Sequence, residues 1–406
     1  MSARHYLDFN ASAPLCPAAR QAVLAALEAG VGNPSSVHAC GQAARAIVDR
    51  ARLQVAAMLG AEPAEIVFTS GATEANLLAW LGILTPWQTD GLRAAVTTAV
   101  EHPSILAVAR QAAAAGVLVT QVPVDGCGRP DLATWADALR HVASGSRALA
   151  SAMAVNNELG VVSPVAEMAR LAREAGAVVH ADVTQAVGRI PLDLRGWGLD
   201  LASLSGHKFG APPGIGALWL RRGVRLQAVQ GGHQEQGLRA GTENILGIAG
   251  FGAAAAQVPD RLAAASRVRG LRDRLWSGLS AIAGVHRHGH VAAGEETGQT
   301  LNVRFDGVDG PALLMALDLE DVAVSSGAAC ASGSLEPSHV IRALGASGDV
   351  NRQAHWRRQA RGAVRFSLGP ETADADVAAV LALVPGLVAR IRDVPASFRN
   401  PAEPLT

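Results

Sequence analysis

Apolar and polar positions along this chain follow two rhythms. In 17–30, "PAARQAVLAALEAG", apolar residues recur at helical spacing behind an early proline and ahead of a glycine, which predicts a helix. A longer amphipathic run over 42–59, closed by Gly60, predicts a second. From residue 65 onward short apolar or β-branched runs alternate with helical ones. The expected strands are "EIVFTS" (65–70), "AAVTTAV" (94–100), "VLVTQVPV" (117–124), "ALASAMAV" (148–155), "AVVHADV" (177–183), "LASLS" (201–205) and "GALWLRR" (216–222). Between them "TEANLLAWLGIL", "PSILAVARQAAAAG" and "PVAEMARLAREAG" keep helical period. This alternation predicts an α/β fold, a mostly parallel sheet covered by helices on both faces.

The texture changes near residue 258. A helical stretch over 260–283 leads into "TLNVRF", "PALLMALDLEDVAVSSG", "AVRFSLG" and a last helix, "ADVAAVLALVPGLVARIR". The expected organisation is a large ligand-binding domain over 1–257, with an N-terminal segment, and a smaller α+β domain over 258–406. The stretch 345–363 is polar, basic and irregular, and reads as an exposed loop or insertion. A ligand belongs at the C-terminal ends of the large sheet's strands, beside the small domain.

Composition narrows the function. Hydrophobic residues make up 49% of the 406 and charged ones 17%, which excludes a disordered chain. Lys+Arg and Asp+Glu balance at 35 each, so no global charge argues for nucleic acid or an acidic membrane surface. A small molecule or another protein is the expected partner. The N-terminus has no apolar signal-peptide core, and no uncharged apolar run of about 18 residues predicts a spanning helix. Cys16, Cys40, Cys127 and Cys330 form no Cys-x-x-Cys pair, so neither a disulfide framework nor a metal site is expected. The cytoplasm is the expected compartment.

Candidate chemistry clusters at the predicted strand ends. Lys208 follows "SLSGH" and is either a solvated lysine or the Schiff-base partner of a carbonyl cofactor. Asp182, in "HADVTQAVG", is either a helix cap or a buried carboxylate facing the protonated ring nitrogen of pyridoxal phosphate (PLP). Gln185 follows it and could donate to the ring's phenolate oxygen. "FTSGATEANLLAW" offers a phosphate cradle in the backbone of Gly71, Ala72 and Thr73, with Thr73, Ser205 and His207 adding side-chain hydrogen bonds. His102, in "VEHPSI", could cap a helix, or stack on a cofactor ring and shuttle protons. Asn157 and Arg365 are polar outliers beside apolar strands; Arg365 suits either a carboxylate clamp or a structural salt bridge. Cys330 lies in "VSSGAACASGSLEPSHV", where Ser, Gly and Ala leave little to pin a loop.

"SGATE", "EHPS", "NNELG", "HADVTQAVG", "SLSGHK", "GGHQEQGLRAGTEN", "SSGAACASGSLEPSHVIRALG" and "VRFSLG" occur in one order along nearly the whole chain. This resembles the cysteine desulfurases of the class V aminotransferase group, fold-type I PLP enzymes, and most of all their nitrogen-fixation branch. The resemblance implies Lys208 as the Schiff-base lysine, Asp182 and Gln185 as ring partners, His102 as the stacking histidine, and Ala72, Thr73, Ser205 and His207 around the phosphate. Thr242, in "RAGTEN", matches a phosphate ligand given by a partner subunit, which implies a homodimer. Asn157 and Arg365 match substrate-binding positions, and Cys330 matches the nucleophile that takes sulfur from L-cysteine as a persulfide before passing it to an acceptor scaffold protein. A loop of small residues suits a thiol that must both reach the cofactor and present sulfur outside. Three features depart from the family: the longer stretch at 345–363, Gln236 and Pro213 where Arg and Lys are common, and "NASAP" near Asn10. A selenocysteine lyase and a catalytically reduced accessory protein are the competing readings.

Overall fold

The computed structural model describes residues 4–30, 32–85, 93–140, 147–292, 294–326, 338–345 and 362–394. Its twelve strands among these residues are β1 His5–Tyr6, β2 Ile66–Thr69, β3 Arg93–Thr98, β4 Leu118–Val122, β5 Arg147–Met153, β6 Val178–Asp182, β7 Leu201–Ser205, β8 Gly216–Leu220, β9 Val285–His288, β10 Thr300–Phe305, β11 Val322–Ala323 and β12 Ala363–Ser367. Seven form one sheet in the order β2-β8-β7-β6-β5-β3-β4. Strands β4, β3, β5, β6 and β7 pair in parallel, and β8 runs antiparallel to both its neighbours. The mostly parallel sheet expected from the alternating pattern is therefore present.

Both faces of that sheet are covered, and the side-chain alternation of the strands shows it. Val67, Ala95, Leu149 and Leu218 enter one apolar cluster, while their successors Phe68, Val96, Ala150 and Trp219 enter another. Helices α1 (Pro17–Glu28) and α2 (Ala39–Leu59) pack on the second cluster, and α3 (Ala72–Leu84) and α4 (Pro103–Ala114) on the first. Gly60 ends α2 in the left-handed conformation, φ 61°, as its position after the apolar run foretold. A Cβ on Gly216 would lie 2.6 Å from the Cα of Gly71, so β8 passes against the turn that begins α3 only because residue 216 has none.

A second core surrounds the antiparallel sheet β12-β10-β9, filled by Phe305, Phe366 and leucines and valines from helices Ala265–Ser280, Gly310–Leu319 and Asp374–Asp393. The N-terminal segment joins it: β1 pairs in parallel with β11, and Leu7 is fully buried in this cluster. The helical stretch expected over 260–283 is interrupted at Ala264, giving Val258–Ala263 and Ala265–Ser280. Strands β1, β9 and β11 carried no periodic signal, because two are only two residues long and β9 is the polar edge "VHRH".

Candidate active site

The C-terminal ends of β5, β6 and β7, with the segment that follows β3, open onto one cleft of about 370 Å³. Asp182 is the last residue of β6 and is 5% exposed. Its Oδ2 accepts from Asn76 Nδ2 at 2.9 Å and its Oδ1 from the Thr184 backbone N–H at 3.0 Å. Gln185 lies beside it, donating through Nε2 to the Asn10 carbonyl at 3.0 Å. Across the cleft the apolar strand β7 ends at Ser205, and the 3-10 turn Gly206–Lys208 brings Lys208 to the wall. Its Nζ donates to the carbonyl oxygens of Asn10 and Ala11 at 2.8 and 2.7 Å.

The turn before α3 closes one side, with Gly71, Ala72 and Thr73 in the cleft lining. Backbone N–H groups at a helix start, beside Ser205 and His207, make a natural place for an anion. His102 lines the cleft and also caps α4: its Nδ1 accepts from the Ser104 backbone N–H at 3.2 Å. Arg365, from β12, is 1% exposed and reaches the same cleft. Its Nη2 donates to Asp8 Oδ1 at 2.8 Å and its Nη1 to the Asn157 carbonyl at 3.0 Å. The salt bridge and the cleft position coexist.

Burial sets the charges around this group. It pushes His207 down to about 4, helped by Lys208 and His102, so His207 is neutral at neutral pH. Glu101, fully buried, is pushed up to about 8 by burial, with the Asp182 charge adding to the rise. It accepts from Thr98 Oγ1 at 2.5 Å and Met153 N at 3.0 Å. Burial likewise raises Glu158, whose Oε2 accepts from Ser338 Oγ at 2.5 Å.

Cys330 lies outside the described residues, as does all but the edges of the 345–363 stretch. The flanks of its segment are placed: Ser325 exchanges backbone hydrogen bonds with Arg365, and His339 lines the cleft, its Nε2 2.9 Å from the Glu101 carbonyl. Thr242 is exposed and is not among the residues lining this cleft. The residues sequence reasoning did not place are Asn10, Asn76, Glu101, Glu158, Thr184 and His339. An acid directly before His102 and another directly after Asn157, each in an apolar stretch, were the available signal for the two glutamates.

Residues 5–380 match the family described as aminotransferase class-V. The chain belongs to the class-V aminotransferases. Among relatives, a cysteine desulfurase of Gluconacetobacter diazotrophicus is 45% identical over 398 residues, 96% of this chain and 94% of that one. A cysteine desulfurase of Cereibacter sphaeroides is 45% identical over 400 residues, 96% and 97% of the two chains. A solved NifS-like protein superposes with a TM-score of 0.85 at 31% identity, covering 96% of this chain and all 100% of that one. Another solved structure, described as SspA in complex with cysteine, gives 0.76 at 28% identity, with 91% and 100% covered.

Class-V aminotransferases of this kind depend on PLP, and the cleft fits it. Three buried polar atoms, Asn10 Oδ1, Thr184 Oγ1 and Gln185 Oε1, have no hydrogen-bond partner among the described residues, and all three residues line the cleft. Orphans of this kind call for a polar occupant. A buried carboxylate, an amine and a helix start around one cavity match a ring nitrogen, an aldehyde and a phosphate. Among the described residues no helix is long and apolar enough to cross a membrane, and no cluster of His, Cys, Asp and Glu is placed to hold a metal.

Proposed function

We propose that this chain is a PLP-dependent cysteine desulfurase, converting L-cysteine to L-alanine and delivering the sulfur for iron–sulfur cluster or other sulfur-cofactor assembly. The observation that carries this reading is the meeting of Asp182, Lys208, His102 and the start of α3 around one cleft, in a chain closely related to cysteine desulfurases over nearly its whole length. The names of those relatives favour cysteine over selenocysteine as substrate.

Bound PLP supplies an aldehyde that captures an amine and a ring that draws electron density from the adjoining carbon. Asp182 keeps a proton on the ring nitrogen, and Gln185 meets the phenolate oxygen. Ala72, Thr73, Ser205 and His207 hold the phosphate, and Thr242 of a second copy completes that set, which suits its exposed position. Lys208 would anchor the cofactor, and its free Nζ would move the substrate's α-proton. Arg365 and Asn157 would take the substrate carboxylate, and His102 would meet the cofactor ring. Cys330 Sγ forms an S–S bond to the substrate sulfur as the C–S bond breaks, and the thiol hydrogen is accounted for in alanine's new methyl group. The enzyme works as a homodimer in the cytoplasm, its large domain (1–257) holding PLP and its small domain (258–406) carrying Cys330, and hands the persulfide sulfur to a scaffold protein.

The test is alanine and sulfide production from L-cysteine with PLP and a reductant, wild type beside Cys330→Ser. Equal yields of both products, lost in the variant, are expected. PLP binding with no alanine formed by the wild type would sink the reading.

A further inference from the structure

A chain of hydrogen bonds runs beneath the cleft from Asp182 to His102. Asn76 Nδ2, on α3, donates to Asp182 Oδ2 at 2.9 Å and to Ser104 Oγ at 3.0 Å. Ser104 Oγ lies 2.8 Å from His102 Nδ1, and the Ser104 backbone N–H donates to the same nitrogen at 3.2 Å. Counting protons gives this chain a direction. Turning the Asn76 amide over would set its oxygen against the Asp182 carboxylate, acceptor facing acceptor. Both amide hydrogens are therefore engaged, and Ser104 Oγ is an acceptor toward Asn76.

Ser104 then has one hydroxyl hydrogen to give, and His102 Nδ1 is the acceptor within reach. The backbone N–H of Ser104 also needs a lone pair on that nitrogen. A proton on Nδ1 would oppose it, so the ring proton of neutral His102 sits on Nε2. Asn76 is fully buried, and its Oδ1 has no partner among the described residues. An apolar side chain there would strand no donor, but it would leave Asp182 Oδ2 and Ser104 Oγ without the hydrogens they accept, so it is the two N–H groups that the site uses.

We propose that Asn76 and Ser104 are positioning residues: they orient the Asp182 carboxylate and, through the Ser104 hydroxyl, fix His102 as the Nε2–H tautomer. One amide thereby ties together the groups proposed to meet the two ends of the reaction, the ring nitrogen and the stacked imidazole. The catalytic consequence rests on the desulfurase reading; the tautomer does not. With Nδ1 held by two donors, His102 meets the reacting atoms as an N–H donor.

The test is 15N NMR of the holoenzyme labelled in histidine, with His102 signals identified by their loss in His102→Gln. Wild type is expected to show a protonated Nε2 and an unprotonated Nδ1. Ser104→Ala, at a half-buried position that leaves the core intact, is expected to shift His102 toward a mixture of tautomers and to lower kcat about tenfold with little change in KM. Ser104→Thr keeps the hydroxyl and is expected to restore both. A wild-type His102 protonated on Nδ1 overturns the proposal, and so does a Ser104→Ala enzyme whose tautomer is unmoved. Absence of alanine formation by wild type would instead defeat the desulfurase reading, with the tautomer still decided by the spectra.

Discussion

The ammonium of Lys208 is held at 2.8 Å by the carbonyl oxygen of Asn10, 198 residues earlier in the chain. Asn10 is buried, and its own contacts reach both sheets' ends. Its Nδ2 donates to the Asn157 carbonyl and to Thr300 Oγ1, each at 2.9 Å, and its backbone N–H donates to Ser367 Oγ at 3.0 Å. The N-terminal segment is thus the bridge between the large sheet, which ends in Lys208, and the small one, which brings Arg365. It also gives the lysine a defined resting place.

Asn10→Ala should therefore disturb more than one contact. Two side-chain hydrogen bonds disappear, and among the described residues the Asn157 carbonyl keeps only Arg365 as a donor. A loss of about 1–3 kcal/mol is expected from such a buried deletion. Urea midpoints of wild type and variant measure it, and PLP absorbance during reconstitution follows the proposed capture by Lys208. An unchanged midpoint would show that the N-terminal segment adds nothing to the site's stability.

Arg365 has two jobs to separate. Its Asp8 contact at 2.8 Å fixes the guanidinium, and the cleft face is proposed to take the substrate carboxylate. Asp8→Asn keeps the shape and removes the charge that orients the arginine. KM for L-cysteine is expected to rise about five- to tenfold while stability falls by about 2 kcal/mol, the range for a hydrogen bond to a charged group. A stability loss with KM unmoved would reduce Arg365 to a structural ion pair.

The parts of this site that could be read from the chain are those at strand ends. Apolar runs such as "ASLS" and "VVHA" locate buried strands, and a polar residue just beyond each, Lys208 or Asp182, then stands in a known place. His102 and Arg365 each had two readings, and the structure shows the local one for both, a helix cap and a salt bridge, with each side chain also lining the cleft. Asn10, Asn76 and Ser104 could not be read this way. Their meaning lies in partners far along the chain, Asn76 meeting Asp182 across 106 residues, and a lone amide or hydroxyl has no periodic signature. The broken helix at Ala264 was hidden for the opposite reason, since alanine and leucine continue the helical pattern on both sides.

Ser338 offers a stability test next to the Cys330 segment. Its Oγ caps the helix His339–Ala343, accepting from Val340 and Ile341 N–H at 3.1 and 3.2 Å, and donates to the buried Glu158. Ser338→Ala removes the cap, worth about 0.5–2 kcal/mol, and takes from Glu158 the hydroxyl that opposes the effect of burial on its carboxyl. Glu158→Gln keeps an acceptor for Ser338 and should lose less. Thermal unfolding of the two variants checks the order; a Gln variant as unstable as Ser338→Ala would mean the cap matters little.

Glu101 predicts a pH dependence with a definite sign. Burial, reinforced by Asp182, raises its carboxyl from 4.5 to about 8, so over that interval the folded protein holds a proton that the unfolded chain releases. The stabilisation is complete below about 4.5 and is lost as pH rises through about 8. His207 acts at the other end: burial, with Lys208 and His102, lowers it from 6.5 to about 4, so stability falls as pH drops through that window. Glu101→Gln keeps the acceptor for Thr98 and Met153 and cannot ionise. Its unfolding midpoint in urea should match wild type near the acid end and exceed it increasingly toward pH 8.5, while the acid-side loss stays the same in both. Parallel midpoint profiles across the whole range would show that Glu101 is already ionised in the folded protein, and the buried proton next to Asp182 would have to be abandoned.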